Sequence, residues 1–509
     1  MLHGETHIRG TNPPQSQFHD RGRFGRLFQG LPAFAPDNPV IRGKLFELGA
    51  KGGLMDGGAP GATNIDNDTI PAGFTFFGQF VDHDLTFDPT SILERQNDPE
   101  AIENFRTPSL ELDNVYGSGP RASRHLYDVT DPAKFLVEKL NGLGSQDDMP
   151  RNSQNTALIA DPRNDENVIV SQFHVAILKF HNALVDKLRA DKIDDSQVFA
   201  QAQRMVRWHY QWIILNEFLP KIVGEAVVKD VLSTHHNDRL FQWRHEPFIP
   251  VEFSVAAYRF GHSQVRPGYR LNGNPPAVAG FAAGFFNIPP APLGSPQDPN
   301  DLRGGRRAER RFVEWEHFFR LDPDQPLVTG RPQQSKKIDT RLSPPLFTMP
   351  GGEAGTQPGP GSGTLANPES LAQRNLLRSL ALGLPSGQAM AQRLGIKALK
   401  PEQLEDLRKL SPGFERSTPP WFYMLKEAEL LSNGERLGPL GGRIVAEVII
   451  GVMQGDRQSF LNANPNWRPE LANSKGQFTI VDLLTFAGAP LVAGSVLPRP
   501  APGPVPPTP

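Results

Sequence analysis

Apolar side chains recur at steps of three and four from Val168 to Ala190, where Val170, Phe173, Ile177, Phe180 and Leu184 form one stripe. That period predicts an amphipathic helix. A second helix is expected over SQVFAQAQRMVRWHYQWIILNEFLPKIVG, closed by Pro220 and Gly224, and a third over VEFSVAAYRFGHSQVRP, stopped by Pro267. Nearer the C-terminal end, ESLAQRNLLRSLALGLP, QLEDLRKL, PPWFYMLKEAELLS and GRIVAEVIIGVMQGD also read as helices. Strict alternation of apolar and polar residues, which marks a half-buried strand, is scarce. Residues 1–35 look irregular with aromatic anchors at Phe24, Phe28 and Phe34, residues 52–71 form a turn-rich loop, and helical patterns between 91 and 160 are short. The expected class is mainly α: one large helical domain with long loops and little β, suited to holding a cofactor between helices.

One predicted helix carries more polar chemistry than packing needs. Within GFTFFGQFVDHDLTFDP, Gly73 to Pro89, Phe76, Phe80 and Leu85 serve as core anchors. Gln79 and His83, four residues apart, share a face, and Asp82 and Asp84 flank the histidine in different directions. A lone histidine there is most simply a satisfied core group; three other segments argue against that reading. IADPRNDENVIV puts Arg163 and Glu166 at the mouth of the long helix, AYRFGHSQVRP holds Arg259 and His262, and LAQRNLLRSLALGLP holds Asn375 and Arg378 on one helical turn.

Composition narrows the classes. A formal net charge of -2 over 509 residues argues against a general nucleic-acid binder. With no cysteine, disulfides and thiolate metal sites are excluded. No run approaches the roughly 18 uninterrupted apolar residues of a membrane span. The excess of Pro and Gly sits in 285–306, 349–368 and the tail VLPRPAPGPVPPTP, expected to be surface loops and a disordered end. The first residues lack the apolar stretch of a signal peptide, so a cytoplasmic setting is the default expectation, with leaderless secretion as the alternative.

Together the four motifs resemble the animal-type haem peroxidases of the peroxidase–cyclooxygenase superfamily, in that family's order from about residue 30 to about 490. The chain looks like a compact, cysteine-free, bacterial-type member, with an arm over 1–30, the haem peroxidase domain over 31–495 and the tail over 496–509. The resemblance implies haem b, with His262 as proximal iron ligand, Asn375 orienting its second nitrogen, and Arg259 and Arg378 facing propionates. It implies His83 as distal acid–base, Arg163 as stabiliser of the charge that builds as peroxide splits, and Gln79 bonded to a distal water or halide. Asp82 and Glu166 match positions that form ester links to haem methyl groups; Asn167 stands where some relatives carry a Met that makes a third link, so that link is not expected.

TPSLELDNVYGS is similar to the family's calcium loop, with Thr107, Ser109 by its carbonyl, Glu111 and Asp113 at ligand positions and Asp84 completing the set. Glu111 and Asp113 stand where the family usually has Asp and Ser. The implied activity is oxidation of small organic donors, or halides, by hydrogen peroxide, with a part in the response to oxidative stress. The alternative is a fatty-acid dioxygenase of the same superfamily. Those enzymes place a tyrosine three residues before the proximal histidine; here that position is Arg259, and Tyr258 is expected to point away on a regular helix. His174 and His181 read as packing and hydrogen-bonding groups, His209, His235 and His236 lack supporting context, and Trp208, Trp212 and Trp421 read as anchors. A hydrolytic metal on Asp82-His83-Asp84 is disfavoured because adjacent residues on a helix diverge.

Overall fold

The computed structural model describes residues 24–492 apart from 59–63, 88–103, 105, 140–146, 244–246, 273–301, 303, 307–311, 323, 325–330, 350–364, 366–367 and 474. The expected arm up to residue 23, most of the two Pro/Gly-rich loops, the tail and the side chain of His236 lie outside the described residues.

Seven longer helices frame the protein: α1 (Pro39–Leu48), α2 (Gly73–Leu85), α3 (Val168–Ala190), α4 (Asp195–Ile213), α5 (Leu371–Ala381), α6 (Pro420–Ser432) and α7 (Pro439–Gly455). The β content is slight, as expected: Asp66–Pro71 pairs antiparallel with Gln334–Lys336, and Glu138–Lys139 with Asp147–Asp148. The first pair takes up the last six residues of what reads in sequence as a turn-rich loop.

Helix α3 begins where the pattern predicts, because Asn167 caps it by accepting from the Val170 amide at 3.0 Å. Its five stripe residues are all buried. Among the described residues it has the length and mean hydropathy, 1.4, of a membrane span, but 89% of that window is buried inside the protein, as in a core helix.

Two winding changes depart from the pattern. Helix α4 does not stop at Pro220: it passes through a π turn, Ile214–Phe218, into Leu219–Val223, where Pro220 opens the final helical stretch. Gly224, at φ 91°, ends it. The segment expected as a regular third helix is a π turn over Glu252–Ala256 followed by a 3₁₀ helix over Ala257–His262. Buried Glu252 ties its start to the N-terminal segment by accepting from the Leu27 and Phe28 amides at 3.0 and 3.3 Å. At Ala256 the backbone leaves helical geometry, with φ −124° and ψ −71°.

A contiguous buried apolar cluster runs from Phe28 to Leu491, and α2 lies inside it. Phe77 and Phe80 meet Phe173 edge-on at 5.6 and 5.0 Å, Phe76 meets Tyr269 at 5.0 Å, and Phe74 meets Phe319 at 5.2 Å. Such pairs add about 0.5–1.5 kcal/mol each beyond area burial. Every face of α2 but one is therefore gripped by rings. The remaining face carries Gln79 and His83.

Candidate active site

A cavity of about 420 Å³ opens between α2, the 3₁₀ helix ending at His262 and helix α5. That volume falls within the roughly 300–1,000 Å³ of ligand and cofactor pockets. Gln79, Asp82, His83, Arg163, Glu166, Arg259, His262 and Arg378 all line it. Residues from four separate motifs thus meet in one space.

On the upper wall, His83 is 3% exposed and its Nδ1 lies 2.9 Å from Asn164 Oδ1. The Asn164 amide nitrogen is turned the other way, toward Asn114 O and the His174 ring. An oxygen facing Nδ1 only accepts, so Nδ1 carries the proton and Nε2 keeps its lone pair. Nε2 lies 3.9 Å from Glu166 Oε1, on the cavity side. Burial, reinforced by the nearby Arg163 charge, lowers the His83 pKa to about 4, so the ring is neutral at pH 7.

Arg163 is locked from three directions. Its Nε and Nη2 donate to Asp161 at 3.1 and 2.8 Å, and Nη2 also donates to the carbonyls of His83 and Thr86 at 3.0 and 2.5 Å. Its guanidinium lies over the Phe87 ring at 4.8 Å. Among the described residues no hydrogen bond engages Nη1. Burial alone would raise the Asp161 pKa, but bonds and charge from Arg163, with Arg106 beside it, hold it well below the carboxylate range.

Gln79 is tied into the cavity wall. Its Nε2 donates to Glu166 Oε1 and its Oε1 accepts from Asn167 Nδ2 at 3.1 Å. Glu166 lines the cavity with 46% of its side chain exposed, and its enclosure by the surrounding protein raises its pKa to about 7. Asp82 accepts at Oδ1 from the Thr86 hydroxyl at 3.1 Å.

On the lower wall, His262 is half-buried beside the Trp421 ring, 6.2 Å away, and meets the Asn375 amide at 2.8 Å through Nδ1. An amide turned over about its last bond presents oxygen instead of nitrogen, so this contact accommodates either imidazole tautomer. Burial, with the Arg259 charge, lowers the His262 pKa to about 3. A 3₁₀ helix eclipses residues three apart, which is how Arg259 and His262 reach the same cavity. Arg259 Nε donates to Ser254 O at 2.8 Å, and Trp421 Nε1 donates to Arg259 O at 3.1 Å. The altered winding also overturns the expectation for Tyr258. It lines the cavity rather than pointing away, and its hydroxyl donates to Gly78 O at 3.2 Å.

The cavity suits a haem. A neutral imidazole held at Nδ1 offers Nε2 to a metal, two guanidinium groups await anionic substituents, and a second neutral imidazole stands on the other wall. A separate acidic cluster lies behind α2. Asp84 is fully buried; burial and then repulsion from Asp113, with Glu111 adding, push its carboxyl well above the usual range. Asp456 joins by accepting from the Ser109 hydroxyl at 3.0 Å. Arg106 lies 3.5 Å from Asp113, and Arg207 3.8 Å from Glu111. Asp113 and Glu111 thus stand close enough to Asp84 for their charges to act on it.

Several members of these groups are not marked in the sequence. Neither Asn164 nor Asp161 stands out in the sequence, and the hydrogen bond expected of His174 goes to the far side of Asn164, 3.0 Å from its Nδ1. His181 behaves as expected, bonded to the Tyr116 hydroxyl and the Ala133 carbonyl.

Residues 93–281 match the family described as animal haem peroxidase. Heme peroxidase 2 of Caenorhabditis elegans is 25% identical over 258 residues, 39% of this chain and 36% of that protein. A peroxidase-like protein of Margaritifera margaritifera is 34% identical over 112 residues, 21% of this chain and 14% of that protein. The matched stretches thus span only 36% and 14% of the lengths of these two relatives. Among solved structures, peroxidase A from Dictyostelium discoideum superposes with a TM-score of 0.62 at 17% identity, over 93% of this chain and 94% of that one. A fatty acid alpha-dioxygenase from Oryza sativa superposes with a TM-score of 0.57 at 13% identity, over 92% of this chain and 79% of that one.

Proposed function

Since the chain is a member of the animal-type haem peroxidase superfamily, we propose that it is a haem-dependent peroxidase that oxidises small organic donors with hydrogen peroxide. One observation carries this reading: two neutral imidazoles line one cavity, each held at Nδ1 by an asparagine amide.

Haem, when bound, supplies an iron that takes two oxidising equivalents from peroxide and passes them to donors. His262 would hold the iron, with Asn375 fixing the ring, and Arg259 and Arg378 would meet the propionates. His83 Nε2 takes a proton from one peroxide oxygen and returns it to the other, a role open to a neutral ring only. Arg163, held by Asp161, turns its positive charge toward the oxygen that departs. Gln79 acts by positioning Glu166. Phenols, anilines and halides are the donor classes proposed, each small enough to approach a haem edge.

Asp82 and Glu166, both on the cavity wall, are the proposed ester partners of haem. Acid–acetone treatment of peroxide-cycled protein is then expected to leave haem on the polypeptide, and complete extraction would remove that part of the proposal. Calcium is proposed among Asp84, Thr107, Ser109, Glu111 and Asp113, with Asp456 adjacent.

Tyr258 on the cavity wall favours one second reading, a fatty-acid dioxygenase. The two are separated by assay of haem-loaded protein: guaiacol oxidation with peroxide supports the peroxidase, and oxygen uptake with palmitate and no guaiacol oxidation overturns it. A purified protein without a Soret band after haem addition would overturn both.

A further inference from the structure

Outside the cavity and the acidic cluster, one group of ligand-type side chains stands close together with no task in the proposed reaction. Glu314, Glu316 and His317 each offer one donor atom, and these atoms all lie within 4.8 Å of one another. None of the three lines the cavity. We propose that these three side chains bind a zinc ion that clamps the chain segment beneath α2.

The histidine is what distinguishes this group from an acidic patch. His317 is 0% exposed, and among the described residues neither ring nitrogen has a hydrogen-bond partner. A buried polar atom left unbonded costs roughly 1–3 kcal/mol, so an imidazole with both nitrogens idle calls for an explanation. Its Nε2 lies 3.7 Å from Glu314 Oε2, beyond hydrogen-bond range. The competing reading is a protonated ring paired with Glu314, yet a pair of that kind closes to a charge-assisted bond of about 2.7–2.9 Å.

The donor set selects the ion. One imidazole and two carboxylates are borderline-to-hard ligands, and their charge matches a dication. Zinc accepts that set at arms of about 2.0–2.2 Å, with donors then roughly 3.4 Å apart. The present spread requires a closure of about an ångström or so by side-chain rotation, within what a bound ion draws in. Glu316 gives Oε1 to Arg331 at 2.7 Å, and a carboxylate so engaged still has a second oxygen.

The backbone around the group shows what a clamp would hold. The amides of Glu314, Trp315 and Glu316 donate to Leu271 O, Pro490 O and Leu491 O at 2.8, 3.0 and 2.9 Å, and His317 O accepts from Gln333 at 2.9 Å. Four stretches distant in sequence therefore converge here. Trp315 meets Phe173 at 6.1 Å and Phe318 meets Phe76 at 6.2 Å, so the segment supports α2 and α3 directly.

The test uses full-length, haem-loaded protein stripped of metal by chelator and then saturated with Ca²⁺ to fill the acidic loop. Zinc is titrated by calorimetry, and the zinc X-ray absorption edge is recorded. One equivalent bound, with an imidazole nitrogen and oxygens at about 2.0–2.2 Å, is expected. His317→Gln is expected to weaken binding by more than the roughly 10–100-fold that loss of an outer partner costs. Glu316→Gln, at a side chain 15% exposed, carries the same test should His317→Gln not fold. No retained zinc, an absorption edge without imidazole, or wild-type affinity in the variant tested would overturn the proposal.

Discussion

The Asn164 oxygen decides how the His83 ring can act. Because Oδ1 accepts from Nδ1, the ring presents a basic Nε2 and holds no second orientation of equal energy. With the pKa lowered to about 4, the base is lost as pH falls through that value, so peroxide-driven oxidation should drop below about pH 4 and stay level above it. Asn164→Asp puts a carboxylate against Nδ1, favours the charged ring and moves that acid limb to higher pH; a pH–rate profile unchanged in the variant would remove Asn164 from the positioning role. His83→Gln should keep haem while slowing turnover by about 10²–10⁴-fold. The histidines and arginines of this site are legible in the sequence because each sits in a motif with partners around it. Asn164 is not, since an asparagine in a PRND turn looks like a cap, and its contact with His83 spans 81 positions.

At the scale of elements, α2 and α3 are legible because their apolar periods are strong and their ends are marked by a cap or a glycine. The winding of residues 252–262 is not, because a π turn and a 3₁₀ helix keep much the same composition as an α-helix while rotating side chains differently. That difference, and nothing in the residue types, brings Tyr258 to the cavity. The close fit of α2 gives its own prediction. A Cβ added at Gly73 would lie 2.4 Å from the Phe319 ring and 2.6 Å from Phe318 O. Gly73→Ala must therefore displace the start of α2, at a cost of about 1–3 kcal/mol by analogy with overpacked cores. Thermal unfolding should show a lowered midpoint, and an unchanged one would mean that the rings yield easily.

Across the whole molecule, buried ionisable groups oppose one another. His83, His174, His181 and His209 are each lowered by burial to about 4. They stabilise the fold fully above their ordinary 6.5, and that contribution is lost as pH falls toward 4. Glu217, Glu427 and Asp339 are raised by burial to about 7. Their contribution is full below the ordinary carboxylate range and lost as pH rises through about 7. The two sets nearly cancel between about pH 5 and 6.5, where the thermal midpoint should be almost level. Glu427→Gln removes one opposing group, so the variant's midpoint should fall more on acidification than the wild type's; an equal response would refute the cancellation. The cavity walls span Phe24 to Arg378 and take in residues from the distal motif, the turn before the long helix, the 3₁₀ helix and α5. If the proposed haem is bound, a growing polypeptide leaving the ribosome therefore cannot present a finished berth for it until residue 378 has been made, which ties yield in a production host to its haem supply after that moment.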